Sequence, residues 1–245
     1  MHKSYIRLVP GAKTAVLLVH GIVGTPRHFD FLLDAVPPEV SVMNILLPGH
    51  GGRVEDFAKT SMKAWKQTVA DGLAQLCRDH QRVIVVGHSM GTLLTAEAAE
   101  LHPQVCGALF LNVPLRVWVA PCMTVRSLRW CFGKLRPQRF EEWGLGKAAG
   151  VTPDKRLWRY LAWLPRFWEL LVLCRSSRTR FETMRLPAVV FQSHHDELVR
   201  RSTSRHLLKN SAICHTMLPG CGHFAYTQEA RRQMRTALQK LLKDE

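Results

Sequence analysis

Short runs of consecutive apolar residues alternate along this chain with stretches in which apolar residues recur every three or four positions. The runs Ala15–Val19, Val40–Leu47, Val83–Val86, Val105–Val113, Pro187–Gln192 and Cys214–Leu218 predict strands, several of them buried on both faces. Tyr5–Val9 predicts a short edge strand before the Pro10-Gly11 turn. Between the runs, helices are predicted over Arg27–Val36 (stopped by Pro37-Pro38), Met62–His80, Thr92–Ala99, Ser202–Asn210 and Gln228–Lys243. Ser61 is a suitable N-cap for the second of these, whose Trp65, Val69, Leu73 and Leu76 recur at helical spacing, so Trp65 reads as core. The last is amphipathic, with Met234, Leu238, Leu241 and Leu242 on its inner side. Strand and helix in alternation predict an α/β class with a mostly parallel central sheet flanked by helices.

The alternation breaks between Leu115 and Glu182. No strand pattern occurs there, and six of the seven tryptophans do: 118, 130, 143, 158, 163 and 168. Thr152-Pro153-Asp154 predicts a helix start, with Thr as N-cap and Pro at N1. Pro165 predicts a break giving two short helices. Trp158, Trp163 and Trp168 are five apart, about 140° of helical rotation each, so they form no single stripe. We therefore expect a core of residues 1–114 and 183–245 and a helical cap over 115–182, inserted after the sixth strand.

Charge sharpens that division. The 245 residues carry a formal net charge of +15. The 115–182 segment holds 14 Lys and Arg against 5 Asp and Glu, a net of +9, which leaves +6 for the other 177 residues. The basic surface reads first as a solvated face, with weak contact to an anionic membrane surface as the alternative; no nucleic-acid motif accompanies it. No apolar run of 18 residues predicts a membrane span. The N-terminal residues show no apolar signal region, and the seven scattered cysteines form no C-x-x-C pair, which predicts reduced thiols and a cytoplasmic protein. Composition leaves the oligomeric state open.

The candidate chemistry lies where predicted strands end. Val83–Val86 runs into Gly87-His88-Ser89-Met90-Gly91 and then an Ala-rich helix, the strand–turn–helix setting in which a Gly-x-Ser-x-Gly turn lifts a serine hydroxyl above a sheet. A serine needs a base, and the base an acid that fixes its tautomer. Of twelve histidines, only His223 follows a late strand in a Gly-rich loop, downstream of an acid just past the preceding strand. That acid is Asp196, with Glu197 the nearest rival. The order Ser89, Asp196, His223 is the order such a sheet requires. His20 and His50 read as loop-bracing residues and His88 fills the variable position of the turn. His194 and His195 lack further ligands at metal-binding spacing, so no metal is expected. Neither a phosphate loop nor a dinucleotide fingerprint is present in the Gly21–Gly24 turn.

These motifs resemble the α/β-hydrolase superfamily, in particular its bacterial carboxylesterase and monoacylglycerol lipase-like branch. The resemblance rests on Leu17–Thr25, Leu47–Gly51, Gly87–Gly91, Asp196–Val199 and Gly220–His223, spanning about residues 15 to 230. It implies the α/β-hydrolase fold with Ser89 as nucleophile, Asp196 as acid and His223 as base. The N–H groups of Ile22 and Met90 would form the oxyanion hole, and no cofactor is implied. The expected activity is hydrolysis of carboxylic esters of small molecules through an acyl-enzyme, with short- to medium-chain or otherwise apolar acyl groups. Alternatives are a monoacylglycerol lipase or lysophospholipase, an aryl esterase, or a binding module of the same fold. His20, His88, Trp118, Trp143 and Val199 are the candidate substrate contacts. Dehalogenases and most epoxide hydrolases of this fold use an aspartate at the elbow, which Ser89 argues against.

Overall fold

The computed structural model describes residues 2–243. Residues 1, 244 and 245, at the outer bounds expected for the core, lie outside the described residues.

Seven strands form one sheet: β1 (Tyr5–Arg7), β2 (Thr14–Val19), β3 (Ser41–Ile45), β4 (Arg82–His88), β5 (Val105–Leu111), β6 (Ala188–Ser193) and β7 (Ile213–Leu218). Their spatial order is β1-β3-β2-β4-β5-β6-β7. All neighbours are parallel except β1, which pairs antiparallel with β3 at the edge. The helices are α1 (Asp30–Leu33), α2 (Val54–Ala58), α3 (Met62–Asp79), α4 (Met90–Ala99), α5 (Pro121–Cys131), α6 (Phe140–Ala148), α7 (Leu164–Thr183), α8 (Ser204–Leu207) and α9 (Gln228–Lys243).

Strand alternation divides the core in two. Leu17, Val19, Val85 and Phe110 point to one face and pack with Trp65, Leu73, Leu93 and Phe181 of α3, α4 and α7. Val16, Leu18, Val86 and Leu109 point to the other and pack with Leu32, Met234 and Leu238 of α1 and α9. Helices on both faces explain why the strands read as unbroken apolar runs. Ser61 caps α3 as expected, accepting the Ala64 N–H at 3.2 Å. All seven cysteines are unpaired; Cys77, Cys131, Cys174 and Cys221 are buried.

Four expectations need correction. The helical segment follows the fifth strand, since five strands precede residue 115. Residues 152–156 form no helix start: the Asp154 carboxylate accepts from the Arg156 backbone and guanidinium, and the Asp154 N–H donates to Tyr160 Oη, which closes a turn instead. A 3-10 helix occupies Leu157–Trp163, and Pro165 falls in the first turn of α7, where it is tolerated, so α7 runs on for 20 residues. The helices expected at 27–36 and 202–210 are single turns, each preceded by a 3-10 turn. On its buried face α7 joins the sheet: Leu170, Leu173, Cys174 and Phe181 belong to the main core.

Candidate active site

Three loops at the carboxyl ends of parallel strands meet here, the usual ligand position in such a sheet. Ser89 follows β4, Asp196 follows β6 and His223 follows β7.

Ser89 sits at φ 50° and ψ −123°, a left-handed backbone that a non-glycine residue adopts only when its surroundings impose it. Its N–H donates to Leu111 O at 2.9 Å, and its carbonyl accepts from the Thr92 hydroxyl at 2.7 Å. A Cβ on Gly91 would overlap Val19 O, so only glycine lets α4 leave the sheet this closely. Met90 opens α4, where its N–H has no carbonyl partner within the helix. Across from it, the Gly21 turn presses on the elbow: a Cβ on Gly21 would stand 2.9 Å from Ser89 Cβ.

Asp196 and His223 are joined at 2.8 Å between Oδ2 and Nδ1, and both side chains are almost fully buried. The other oxygen, Oδ1, accepts the N–H groups of Leu198 and Val199 at 2.8 and 2.7 Å, which fixes the carboxylate plane. Nδ1 must therefore carry the proton toward Asp196, leaving Nε2 as the basic nitrogen. Glu197 does not touch this ring. Its Oε2 accepts the backbone N–H of His223 at 2.7 Å.

Four further buried histidines, His20, His28, His50 and His88, are neutral scaffolding. His20 Nδ1 donates to Gly21 O at 2.8 Å and its Nε2 accepts from Leu47 N at 3.1 Å, so both nitrogens are used by the loops. His50 contacts Pro48 O at 3.2 Å. His88 Nε2 donates to His223 O at 3.0 Å. His28 stacks on His88 with ring centroids 3.9 Å apart. Burial lowers the pKa of all four, His28 to about 3 and His50 to about 4, with the charges of neighbouring histidines adding to the effect on His20, His28 and His88.

A residue missed in the sequence reading is Asn112. It is fully buried at the end of β5 with φ 54°, and its Nδ2 donates to His223 O at 3.0 Å while Oδ1 accepts the Ser193 N–H at 2.8 Å. An asparagine just after an apolar strand, where the left-handed conformation is common for that residue, was the available signal.

Next to the site is an apolar cavity of about 440 Å³ between the helical segment and the sheet ends. Three of its wall residues flank the site in the chain: Ile22, Leu198 and Phe224. The tryptophans that line it are Trp130 and Trp163, not the expected Trp118 and Trp143. Trp118 stacks under Arg200 at 5.8 Å and, with Val199, borders a separate open depression lined by Arg126, Glu141, His194 and His195. Trp143 lies between Lys147 and Arg231 at 5.7 and 5.2 Å. His20 and His88, bonded as described, brace backbone. Among the described residues, no group of three or more His, Cys, Asp or Glu is arranged to hold a metal ion, and no helix is long and apolar enough to cross a membrane.

The model of the alpha/beta hydrolase family matches residues 16–235. A thermostable monoacylglycerol lipase of Bacillus sp. (strain H-257) is 37% identical over 103 residues, 42% of this chain and 41% of that protein. The dihydrolipoyllysine-residue acetyltransferase component of an acetoin cleaving system from Pseudomonas putida is 32% identical over 98 residues, 40% of this chain and 26% of that protein. The matched stretch thus spans less than half of these relatives. Among solved structures, one described with LipS and LipT, two metagenome-derived lipolytic enzymes, superposes with a TM-score of 0.74 at 20% identity, covering 99% of this chain and 98% of the other. A monoacylglycerol lipase of Paleococcus ferrophilus superposes at 0.66 with 17% identity over 98% and 97% of the two chains. At these identities the two structures speak for the fold.

Proposed function

The chain belongs to the alpha/beta hydrolase family, and on that premise we propose that it hydrolyses carboxylic esters of small molecules through an acyl-enzyme on Ser89. The observation that carries this reading is the 2.8 Å Asp196–His223 pair beside the strained Ser89 turn, with an apolar cavity next to it. Ser89 Oγ attacks the ester carbonyl carbon and its proton passes to His223 Nε2. Asp196 holds the opposite nitrogen and stabilises the imidazolium. The N–H groups of Met90 and Ile22 face the developing oxyanion, each worth about 3 kcal/mol in the transition state. The C–O bond breaks, and the leaving alcohol takes the proton back. Water then attacks the acyl carbon, giving a proton to His223, and the acid leaves with Ser89 regenerated. Residues 115–182 act as a cap whose inner wall receives the acyl group: a 440 Å³ cavity falls in the usual range for small-ligand sites.

The test is turnover of p-nitrophenyl esters from acetate to palmitate by the native protein and by Ser89→Ala. Loss of about 10⁴-fold or more in kcat with an unchanged fold is expected. A serine-dependent peak at short to medium chains fits a carboxylesterase; a peak at long chains moves the substrate to monoacylglycerols or lysophospholipids. Activity retained in Ser89→Ala refutes the reading, and tight ligand binding without turnover makes the protein a binding module.

One surface favours a lipid partner. Leu164, Phe167, Trp168, Leu171 and Val172 follow the i, i+3, i+4, i+7, i+8 spacing along α7 and all face solvent, with Trp158 and Leu161 just before them. The exposed cations Lys155 and Arg175 flank this stripe, and Leu157 and Phe167 line the cavity as well, so the stripe is continuous with it. Tryptophan beside exposed cations suits an anionic bilayer surface, and we assign the stripe to that occupant. Co-sedimentation with vesicles containing phosphatidylglycerol, but not with phosphatidylcholine alone, and its loss in Trp158→Ser/Trp168→Ser, are expected. Failure to bind either vesicle, or a dimer in solution that the same double variant dissolves, overturns the assignment.

A further inference from the structure

Both ends of the His223 peptide are clamped. Its carbonyl accepts from His88 Nε2 and Asn112 Nδ2, each at 3.0 Å, with the Tyr226 hydroxyl at 3.4 Å. Its N–H donates to Glu197 Oε2 at 2.7 Å. The neighbouring acids thus divide one histidine between them: Asp196 takes the ring and Glu197 the backbone. The Glu197 carboxylate is itself nearly buried, with its side chain 9% exposed. Glycine at 222 leaves room for it, because a Cβ there would stand 3.0 Å from Glu197 Oε1. A carboxylate taken this far from water needs a countercharge.

That countercharge comes from the helical segment. Arg126 of α5 reaches down and forms an ion pair with Glu197 Oε1 through its Nη1. Its Nη2 also lies 3.8 Å from Glu141 of α6. The backbone at the root of the segment is stitched to the same loop: Trp118 N donates to Leu198 O, Ala120 N to Glu197 O, and Arg200 N to Arg116 O, at 3.0, 2.9 and 2.8 Å. The loop that holds Asp196 and Glu197 therefore rests on the strand-like entry to α5 (Val117 pairs with Val199).

We propose that Glu197 is a positioning residue for His223 and that Arg126 couples it to the seating of α5, so that the base is aligned only while the helical segment is docked. This rests on the Ser89–His223 reading above. With α5 down, Glu197 is paired and its second oxygen is free to hold the His223 N–H. When α5 lifts, Arg126 leaves and a buried carboxylate stands uncompensated. The loop then relaxes to hydrate it, and the His223 N–H loses its fixed acceptor. Misplacement of a base by about 1 Å costs about 10²-fold in rate, so a partly open segment binds ester without turning it over efficiently.

The experiment is steady-state kinetics on one soluble p-nitrophenyl ester with Arg126→Met, Arg126→Lys, Glu197→Gln and the double variant Glu197→Gln/Arg126→Met. The His223 Nδ1 proton, observed downfield by NMR, serves as a readout apart from turnover. Arg126→Met is expected to lower kcat by about tenfold or more with KM within about twofold, and to broaden or shift the Nδ1 proton resonance. Arg126→Lys restores most of kcat. Since Arg126 acts through Glu197, its loss costs little further in the Glu197→Gln background, a non-additive pair. Glu197→Gln keeps an acceptor for the His223 N–H and so keeps the variant folded. An unchanged kcat in Arg126→Met, an effect confined to KM, or multiplicative losses in the double variant each overturn the coupling. Ser89→Ala separates the two readings: inactive Ser89→Ala with normal Arg126→Met removes this inference alone, whereas active Ser89→Ala removes the site it rests on.

Discussion

The sheet and the 115–182 segment place polar and apolar side chains in opposite ways. At the sheet ends most buried polar groups outside the Asp196–Glu197 loop are uncharged, as with His20, His28, His88 and Asn112, each held by backbone or ring neighbours. In the segment the polar groups are arginine–carboxylate pairs: Glu142 with Arg129 and Arg136, Asp154 with Arg156 and Arg159, Glu169 with Arg166. Many of its large apolar residues face outward, among them Trp158, Leu161, Leu164 and Trp168. The sheet is held by packing that no small displacement survives. Outside the buried face of α7, which packs into the main core, the segment is held largely by ion pairs and a few docking points, which tolerate rearrangement. On the proposed function, the contrast suits a fixed reaction centre beneath an adjustable wall.

Two glycines break this comparison most directly. A Cβ on Gly91 would overlap Val19 O inside the sheet, and a Cβ on Gly150 would overlap Gly24 O where the segment meets the core. Gly150 N donates to Val23 O at 2.7 Å, and Gly150 O accepts from Gly51 N, so this is a docking point of the segment. Gly91→Ala is expected to cost about 3 kcal/mol, because neither the strand nor the helix can retreat. Gly150→Ala is expected to change global stability by less than about 1 kcal/mol, since the segment can shift, while altering the ester chain-length profile. Urea unfolding of both variants, with the ester series on Gly150→Ala, checks this; equal stability losses would mean that the segment is as rigid as the sheet.

What was legible in the sequence follows from the same contrast. Strands buried on both faces leave unbroken apolar runs, and the site residues fall in the loops just after them, so Ser89, Asp196 and His223 could be read as one set at strand ends. The structure brings Asp196 and His223 into contact. The segment offered no such guide. Which tryptophan faces the cavity depends on helix phase and on where each helix docks, and these placed Trp130 and Trp163 on the wall and Trp118 and Trp143 elsewhere. Thr152-Pro153-Asp154 carried a helix-start pattern, yet Asp154 found arginine partners three-dimensionally close and closed a turn. Glu197 was visible only as a rival acid. Its part in holding the His223 N–H depends on a pairing with Arg126, 71 residues away, that no local pattern encodes.

Acid sharpens the comparison with a smaller expected effect. A buried histidine with a lowered pKa is neutral in the folded protein but takes a proton near 6.5 once unfolded, so its contribution is complete above that value and is lost as pH falls toward the folded pKa. For His28 and His50 the folded values are about 3 and about 4, which sets the window from about 6.5 down to that range. His20 and His88 act in the same direction. The segment runs on a different scale. Hydrogen bonds and charge from Arg136 and Arg129 hold Glu142 down to about 2, so its stabilisation is present above 4.5 and is lost only as pH falls toward 2. Between pH 6 and 5 the sheet should therefore weaken while the pairs of the segment stay ionised. The unfolding free energy in urea is expected to fall by about 2.5 kcal/mol or more per pH unit there, from two or more protons taken up on unfolding. His50→Asn should remove about 1 kcal/mol per pH unit of that slope. Six of the seven tryptophans lie in the segment, so native tryptophan emission should stay constant over the same range until the whole chain unfolds. An emission change that precedes the loss of global stability would place the acid-sensitive groups in the segment and reverse the assignment.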